Sequence, residues 1–354
     1  MTDRENVLSL FRRTGYERVP YDFNLCASQI EQYKKNTGSD LPYEDYFDFP
    51  LRRFSDLPEA APEPGVYMKY YDSPLAPGAV VTAFGVAREP GGEGSYHFFR
   101  QRHPMAGFDS AEQVLEYPFP SLPFNIIDIL KEQADAAHKR GKASVGRMSC
   151  TIWETAWALR GMENLMVDIM TENPLAEALL DRLTAFSCER AANFARAGAD
   201  ILHLGDDVGT QRSLLMSKEM YCARLKPRIK KVIDTAKSIR PDILVYYHSC
   251  GYVTPLIKHF ADAGIDILDP VQPESMDFAE IHAEFGDRLS FNGSVGTQTT
   301  LPFGAPDDIK EYVWKNLDIA GEKGGLLPCP THTVEPEVPW ENIVAYVEAC
   351  GSYK

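Results

Sequence analysis

A single (β/α)8 barrel with an irregular N-terminal extension is the fold that this 354-residue sequence predicts. Three observations point to it. From about Leu122 onward, short apolar runs alternate with longer amphipathic segments, the order that builds a parallel sheet through right-handed crossovers. With earlier candidates included, the runs number about eight, which suits one barrel. Neither a GxGxxG turn nor a Walker loop supports the competing doubly wound nucleotide fold. Residues 1–354 are therefore expected to form one barrel domain, its first ~120 residues rich in Pro, Gly, Tyr and Phe and poor in periodic helices.

The elements follow in order. Early strand candidates are 19–25, 79–86 and 143–148. Asn173-Pro174 is an N-cap and first-turn pair, opening a helix striped by Leu175, Leu179 and Leu183. A strand over 201–204 then ends in an acidic loop. Ser217 can cap the next helix, whose buried face carries Leu225, Ile229, Val232 and Ile233, and Pro227 kinks or restarts it. The strand 243–247 runs into His248-Ser249-Cys250-Gly251, and Thr254-Pro255 opens another helix. The strand 265–268 ends at Asp269-Pro270-Val271-Gln272, and a short helix covers 278–285. Strand 289–292, helix 306–317, a strand led by 325–327 and a last helix from Pro339 through Ala349 complete the pattern.

Composition narrows the function. Acidic residues outnumber basic ones, 51 to 36, for a formal charge of −15. Such a surface repels phosphate backbones and anionic lipid, so no nucleic-acid or membrane partner is expected. No apolar run approaches the ~20 residues that span a bilayer. The opening MTDRENVLSLFRR has no signal core, and the seven dispersed cysteines form no disulfide framework. A cytoplasmic location is the expectation.

Barrel chemistry gathers at the C-terminal ends of strands. The polar residues falling there are Asp206, Asp207, His248, Cys250, Asp269, Gln272, Asn292, Cys329 and His332. A two-residue offset at a strand end points His248 and Cys250 the same way, as half of a tetrahedral zinc site. Cys329 or His332, at the last strand end, can supply a third ligand and leave one position open for substrate. A small buried cysteine beside a hydrogen-bonded histidine is the structural alternative. Asp206-Asp207 fits substrate binding or general-base work, or else a helix-capping loop. His97, Arg100, Arg102 and His103 form a local basic patch suited to a carboxylate or phosphate, or simply a solvated edge. Glu154 and Glu163 flank an apolar helix, and pairing with Arg160 or Arg147 explains them as well as catalysis does. There is no GxSxG elbow and no HExxH helix.

These residues sit within a longer resemblance. The runs GADILHLGDDVGT, HSCGYVTPLI, GIDILDPVQP, MDFAEIHAEFGDRLSFNGSVGTQTTLPFG and PTHTVEPEVPWENI, within 198–342, resemble the uroporphyrinogen decarboxylase superfamily, a (β/α)8 barrel. RRTGYERVP and RHPMAGFDSAEQVLEYPFP fit it more loosely. Decarboxylases of that superfamily carry an arginine-rich loop of the RQAGRY type that holds substrate carboxylates. The equivalent stretch here, Tyr21-Asp22-Phe23-Asn24-Leu25-Cys26, has no arginine. The resemblance therefore turns to the cobalamin-dependent methyltransferase branch, which includes methylcobalamin:coenzyme M methyltransferases. That branch holds zinc through His-x-Cys and a distant Cys. His248 and Cys250 match the first two, while the third position falls on His332, with Cys329 three residues earlier.

The resemblance implies a zinc-dependent corrinoid methyltransferase. It would move a methyl group between a corrinoid, free or on a partner protein, and a small methyl donor or acceptor. On this view Asp206, Asp207 and Gln272 orient the substrate, and Asp269 and Asn292 line the corrinoid side. The alternatives are a metal-free decarboxylase and a non-catalytic corrinoid- or tetrapyrrole-binding subunit.

Overall fold

Seven parallel strands form one curled sheet in the computed structural model, which describes residues 1–91 and 99–353. They are β1 (Leu51–Ser55), β2 (Ala143–Arg147), β3 (Ile201–Gly205), β4 (Leu244–His248), β5 (Ile267–Asp269), β6 (Ser290–Asn292) and β7 (Leu326–Leu327). Each pairs with the next in chain order, as serial β–helix–β crossovers require.

Strand period sorts the side chains into two sets. Leu51, Ala143, Val145, Ile201, Leu244, Tyr246, Ile267, Leu327 and Cys329 make one buried cluster on the concave face. Phe54, Leu202, Leu204, Val245, Tyr247, Leu268 and Phe291 belong to a second cluster, packed against the surrounding helices. The first helix (Asp3–Phe11) plugs the N-terminal end of the sheet with Val7, Leu10 and Phe11, which join the concave cluster. Thr2 caps that helix in a reciprocal box with Glu5.

Most predicted elements form. Asn173 caps the helix Pro174–Ala197 through a 3.0 Å hydrogen bond from the Leu175 amide. Pro227 opens the helix Lys226–Ile239 directly after a π-helical turn, Tyr221–Leu225, so the chain restarts where proline removes a donor. Two early assignments need correction, and one strand is unforeseen. The run 79–86 is not a strand of the parallel sheet: Val80–Val81 pairs antiparallel with Ala87–Pro90, which pairs with Phe99–Arg102, in a separate three-stranded sheet. The seventh parallel strand is instead β1, whose LRRFS text has no apolar run.

Segment 19–25 contributes only one parallel bridge, Leu25 to Val334, so the described residues form a curled seven-stranded sheet and not a closed ladder of eight. Its Pro20 has no N–H to donate. Its Tyr21 and Phe23 rings pack edge-on against Phe49 and Tyr346, covering the seam with aromatic contacts where ladder bonds would run. No helix among the described residues is long and apolar enough to cross a membrane.

Candidate functional site

His248 is the last residue of β4, on the same parity as the concave-face residues Leu244 and Tyr246. Register sets it opposite Gly205 of β3 and Asp269 of β5. A Cβ on Gly205 would stand 2.7 Å from His248 Cβ, so only glycine leaves room for the ring there. Asp269 Oδ2 bonds His248 Nδ1 at 2.5 Å, and Asn292 Nδ2 donates to Asp269 Oδ1 at 2.8 Å and to the Tyr246 hydroxyl at 2.6 Å. The imidazole is thereby held with Nε2 toward Cys250 Sγ, 3.3 Å away. Asp207 Oδ1 lies 3.7 Å from the same Nε2.

The loop after β4 is pinned from three sides. Asp207 Oδ1 accepts the Cys250 amide at 2.7 Å, Gln272 Oε1 accepts the Gly251 amide at 3.1 Å, and the Ser249 amide donates to the Asp269 carbonyl at 2.7 Å. Gly251 turns the chain at φ +79°.

Asp207, His248 and Cys250 therefore present a carboxylate oxygen, an imidazole nitrogen and a sulfur within 4.8 Å of one another. Two ligands of a tetrahedral zinc stand about 3.5 Å apart, from Zn–N near ~2.0 Å and Zn–S near ~2.3 Å. The 3.3 Å separation of Nε2 and Sγ fits that geometry. A carboxylate on the far ring nitrogen is the partner that metal-binding histidines use to fix tautomer and orientation. Burial opposes charge on His248, but Cys250 and Asp269 more than offset it and hold its pKa well above the ordinary value. Metal binding at Nε2 must displace that proton. Asp269 is also buried against its charge, and His248 keeps its carboxyl below the usual range.

Residues 123–353 match the family described as Uroporphyrinogen decarboxylase (URO-D). The chain belongs to the URO-D family. Uroporphyrinogen decarboxylases of Rickettsia africae and Rickettsia conorii are each 26% identical to this URO-D family member over 180 residues, 51% of this chain and 49% of theirs. The chain thus matches about half the length of those curated relatives. A solved methyltransferase from Methanosarcina mazei superposes with a TM-score of 0.67 at 20% identity, covering 99% of this chain and 98% of that one. That likeness shows the fold.

Within this URO-D family chain, the predicted site residues separate into groups. Asp207, His248 and Cys250 come together, with Asp269 and Asn292 behind the imidazole. Gln272 braces the loop and donates to Gln211 Oε1 at 2.9 Å. Asp206 is buried, and its carboxylate accepts the Ile152 and Glu154 amides at 3.1 and 2.9 Å. It caps the helix Trp153–Arg160 from a neighbouring strand end, and burial and Glu154 raise its carboxyl well above the usual range. Cys329 is buried with the concave-face cluster and donates to the Pro330 carbonyl, while His332 is exposed. The clustered metal-binding donors include neither of them among the described residues.

Two members of the basic patch are engaged elsewhere. Arg102 pairs with Glu89 and Asp72, His103 Nδ1 lies 2.8 Å from the Ala158 carbonyl, and His97 falls outside the described residues. Arg160 pairs with Asp168, not with a glutamate, and Glu163 is exposed. Glu154 turns out to border the site: its Oε2 accepts the Asp207 amide at 3.2 Å. Burial and the charge of Asp207 push its carboxyl up to about 7. His203 is not among the residues that the sequence singles out, though its parity with Ile201 in ILHLG already aims it at the concave face. Neither ring nitrogen has a hydrogen-bond partner among the described residues.

Proposed function

We infer that this protein is a zinc-dependent methyltransferase that moves a methyl group between a corrinoid and a thiol or an O-, N- or S-methyl compound. One observation carries the inference: His248 is fixed by Asp269 on one nitrogen and turns the other to the Cys250 sulfur at zinc-ligand spacing. His248 Nε2, Cys250 Sγ and Asp207 Oδ1 would hold the metal, with Cys329 and His332 as the further donors drawn from the sequence. When bound, zinc supplies Lewis acidity, favouring the thiolate of an acceptor or polarising the heteroatom of a donor.

The chain's own residues do the rest. Asp269 and Asn292 keep the imidazole from rotating, and Asp207 holds the Cys250 backbone while facing the same centre. Glu154, which accepts the Asp207 amide and whose carboxyl is pushed up to about 7 by burial and the charge of Asp207, is suited to accept the proton of an incoming thiol at its carboxylate and return it to solvent. The corrinoid, free or carried by a partner protein, would meet the substrate at the C-terminal mouth of the sheet. The Methanosarcina mazei protein of similar fold is a methyltransferase, which supports this reading.

Metal analysis of protein purified without chelators, combined with loss of the cobalt–methyl absorbance when methylcobalamin and a thiol are added, tests it. Near-stoichiometric zinc and thiol-dependent demethylation are expected. Parent protein without zinc after supplementation would overturn the reading. Release of carbon dioxide from uroporphyrinogen would replace it with the decarboxylase alternative.

A further inference from the structure

The concave face carries cations that the metal centre does not use. Arg53 of β1 and Arg147 of β2 have the same parity as Leu51 and Val145, which belong to the concave cluster. Register places Arg147 beside His203 of β3, and His203 beside Tyr246 of β4. Arg147 is exposed at the strand end, and its one side-chain hydrogen bond among the described residues is from Nε to Ser149 Oγ at 3.3 Å. Among the described residues it has no ion pair. Arg53 commits one hydrogen bond to Asp22 at 2.5 Å. A guanidinium has five N–H donors, so both arginines keep most of theirs for something else. His203, between Arg147 and Tyr246 in the register, has two buried ring nitrogens without hydrogen-bond partners among the described residues, one of them within 4.8 Å of ligand atoms of His248 and Asp269. In a chain of formal charge −15, an exposed guanidinium without a counter-ion among the described residues is open to an anion.

We propose that Arg147, with Arg53 on the neighbouring strand, forms a receptor for the carboxylate of the substrate, so that the molecule processed at His248 and Cys250 is a small organic acid. The proposal rests on the methyltransferase reading for the chemistry but not for the binding. Guanidinium and carboxylate match as a planar bidentate pair. Asp22 already balances Arg53, so Arg147 supplies the net positive charge. Strand spacing of about 4.8 Å and rise of about 3.3 Å put the Arg147 and His248 backbones roughly 12 Å apart, two strands over and one pair up. That separation suits an acid whose reacting heteroatom lies several bonds from its carboxylate. These arginines stand on strands, outside the 21–26 stretch that lacks them.

Calorimetric titration of the full chain with benzoate, and with benzamide as its neutral counterpart, tests the receptor without metal turnover. The parent should bind benzoate at least about tenfold more tightly than benzamide, the scale of one charge-assisted pair. Arg147→Gln should bring the two probes level while keeping its zinc, and Arg147→Lys should retain part of the preference. Cys250→Ser should keep the benzoate preference and lose the zinc. That contrast separates failure of the receptor from failure of the metal site. Equal binding of both probes by the parent, no binding of benzoate, or an unchanged preference in a folded Arg147→Gln protein would each overturn the proposal.

Discussion

The two ends of the curled sheet handle their polar groups in opposite ways. At the N-terminal end Asp200, entirely buried, receives Arg4 through two bonds of 2.9 and 2.7 Å, Arg240 at 3.1 Å, His138 at 2.9 Å, and the Ser144 amide and hydroxyl at 3.1 Å each. Both carboxylate oxygens are filled from within the chain. At the C-terminal end, His203 has two orphaned nitrogens, Asn292 keeps an unpartnered Oδ1, and Arg147 stands without a counter-ion among the described residues. Saturation stabilises the fold; groups left open are available to another molecule. One end fastens the plugging helix to the sheet, and the other leaves polar groups open on the side where barrel enzymes carry their chemistry.

This contrast can be broken at either end. The largest effect is expected from Asp200→Ala, which strands Arg4 and Arg240 and should cost about 3 kcal/mol in urea unfolding while zinc content stays at the parent level. Part of that is pH-dependent. Burial opposes the Asp200 charge, but Arg4 and the Ser144 amide hold its carboxyl at about 2, below its ordinary 3.8. Its contribution, about 2 kcal/mol at 1.36 per unit, is therefore present above pH 4 and lost as pH falls through 2. A comparison with Asp200→Asn across that window should show the two stabilities converging in acid.

Next come the ligands. Cys250→Ser and His248→Ala should each weaken zinc retention by about a hundredfold or more in chelator competition, with the unfolding transition unchanged. Asp269→Asn keeps the shape but removes the anion behind His248. It should weaken zinc by about 10- to 100-fold, with intact Cys250. The smallest effect belongs to His203→Phe. Because its nitrogens pair with nothing among the described residues, stability by thermal melting should move by less than about 1 kcal/mol. A large loss there would mean that the mouth is as saturated as the base.

Legibility in the sequence follows the same division. Strands β3 to β7 announce themselves as apolar runs because both their faces are buried. The strand β1 hides, since Arg52, Arg53 and Ser55 break its hydrophobicity. Its placement depends on the pairing with β2. His248 and Cys250 are visible from spacing alone, and so is their strand-end position. Asp207 is visible only as one of two adjacent acids, and the two face different things: Asp206 a helix end, Asp207 the His-x-Cys loop. That choice depends on the direction of the chain after β3, which composition does not encode. The third ligand position near Cys329 and His332 comes from counting along the chain, and such counting carries no information on depth: one side chain is buried and the other exposed.

Because Arg53, Arg147 and His203 hang from β1, β2 and β3, while His248 and Asp269 hang from β4 and β5, the two sets share a ladder but no backbone segment. A single codon change at position 147 alters the charge at an exposed strand end and touches none of the hydrogen bonds that hold the imidazole or the Cys250 loop. If Arg147 receives the substrate as proposed, descendants of such a scaffold could change their diet one substitution at a time around a fixed His-x-Cys loop.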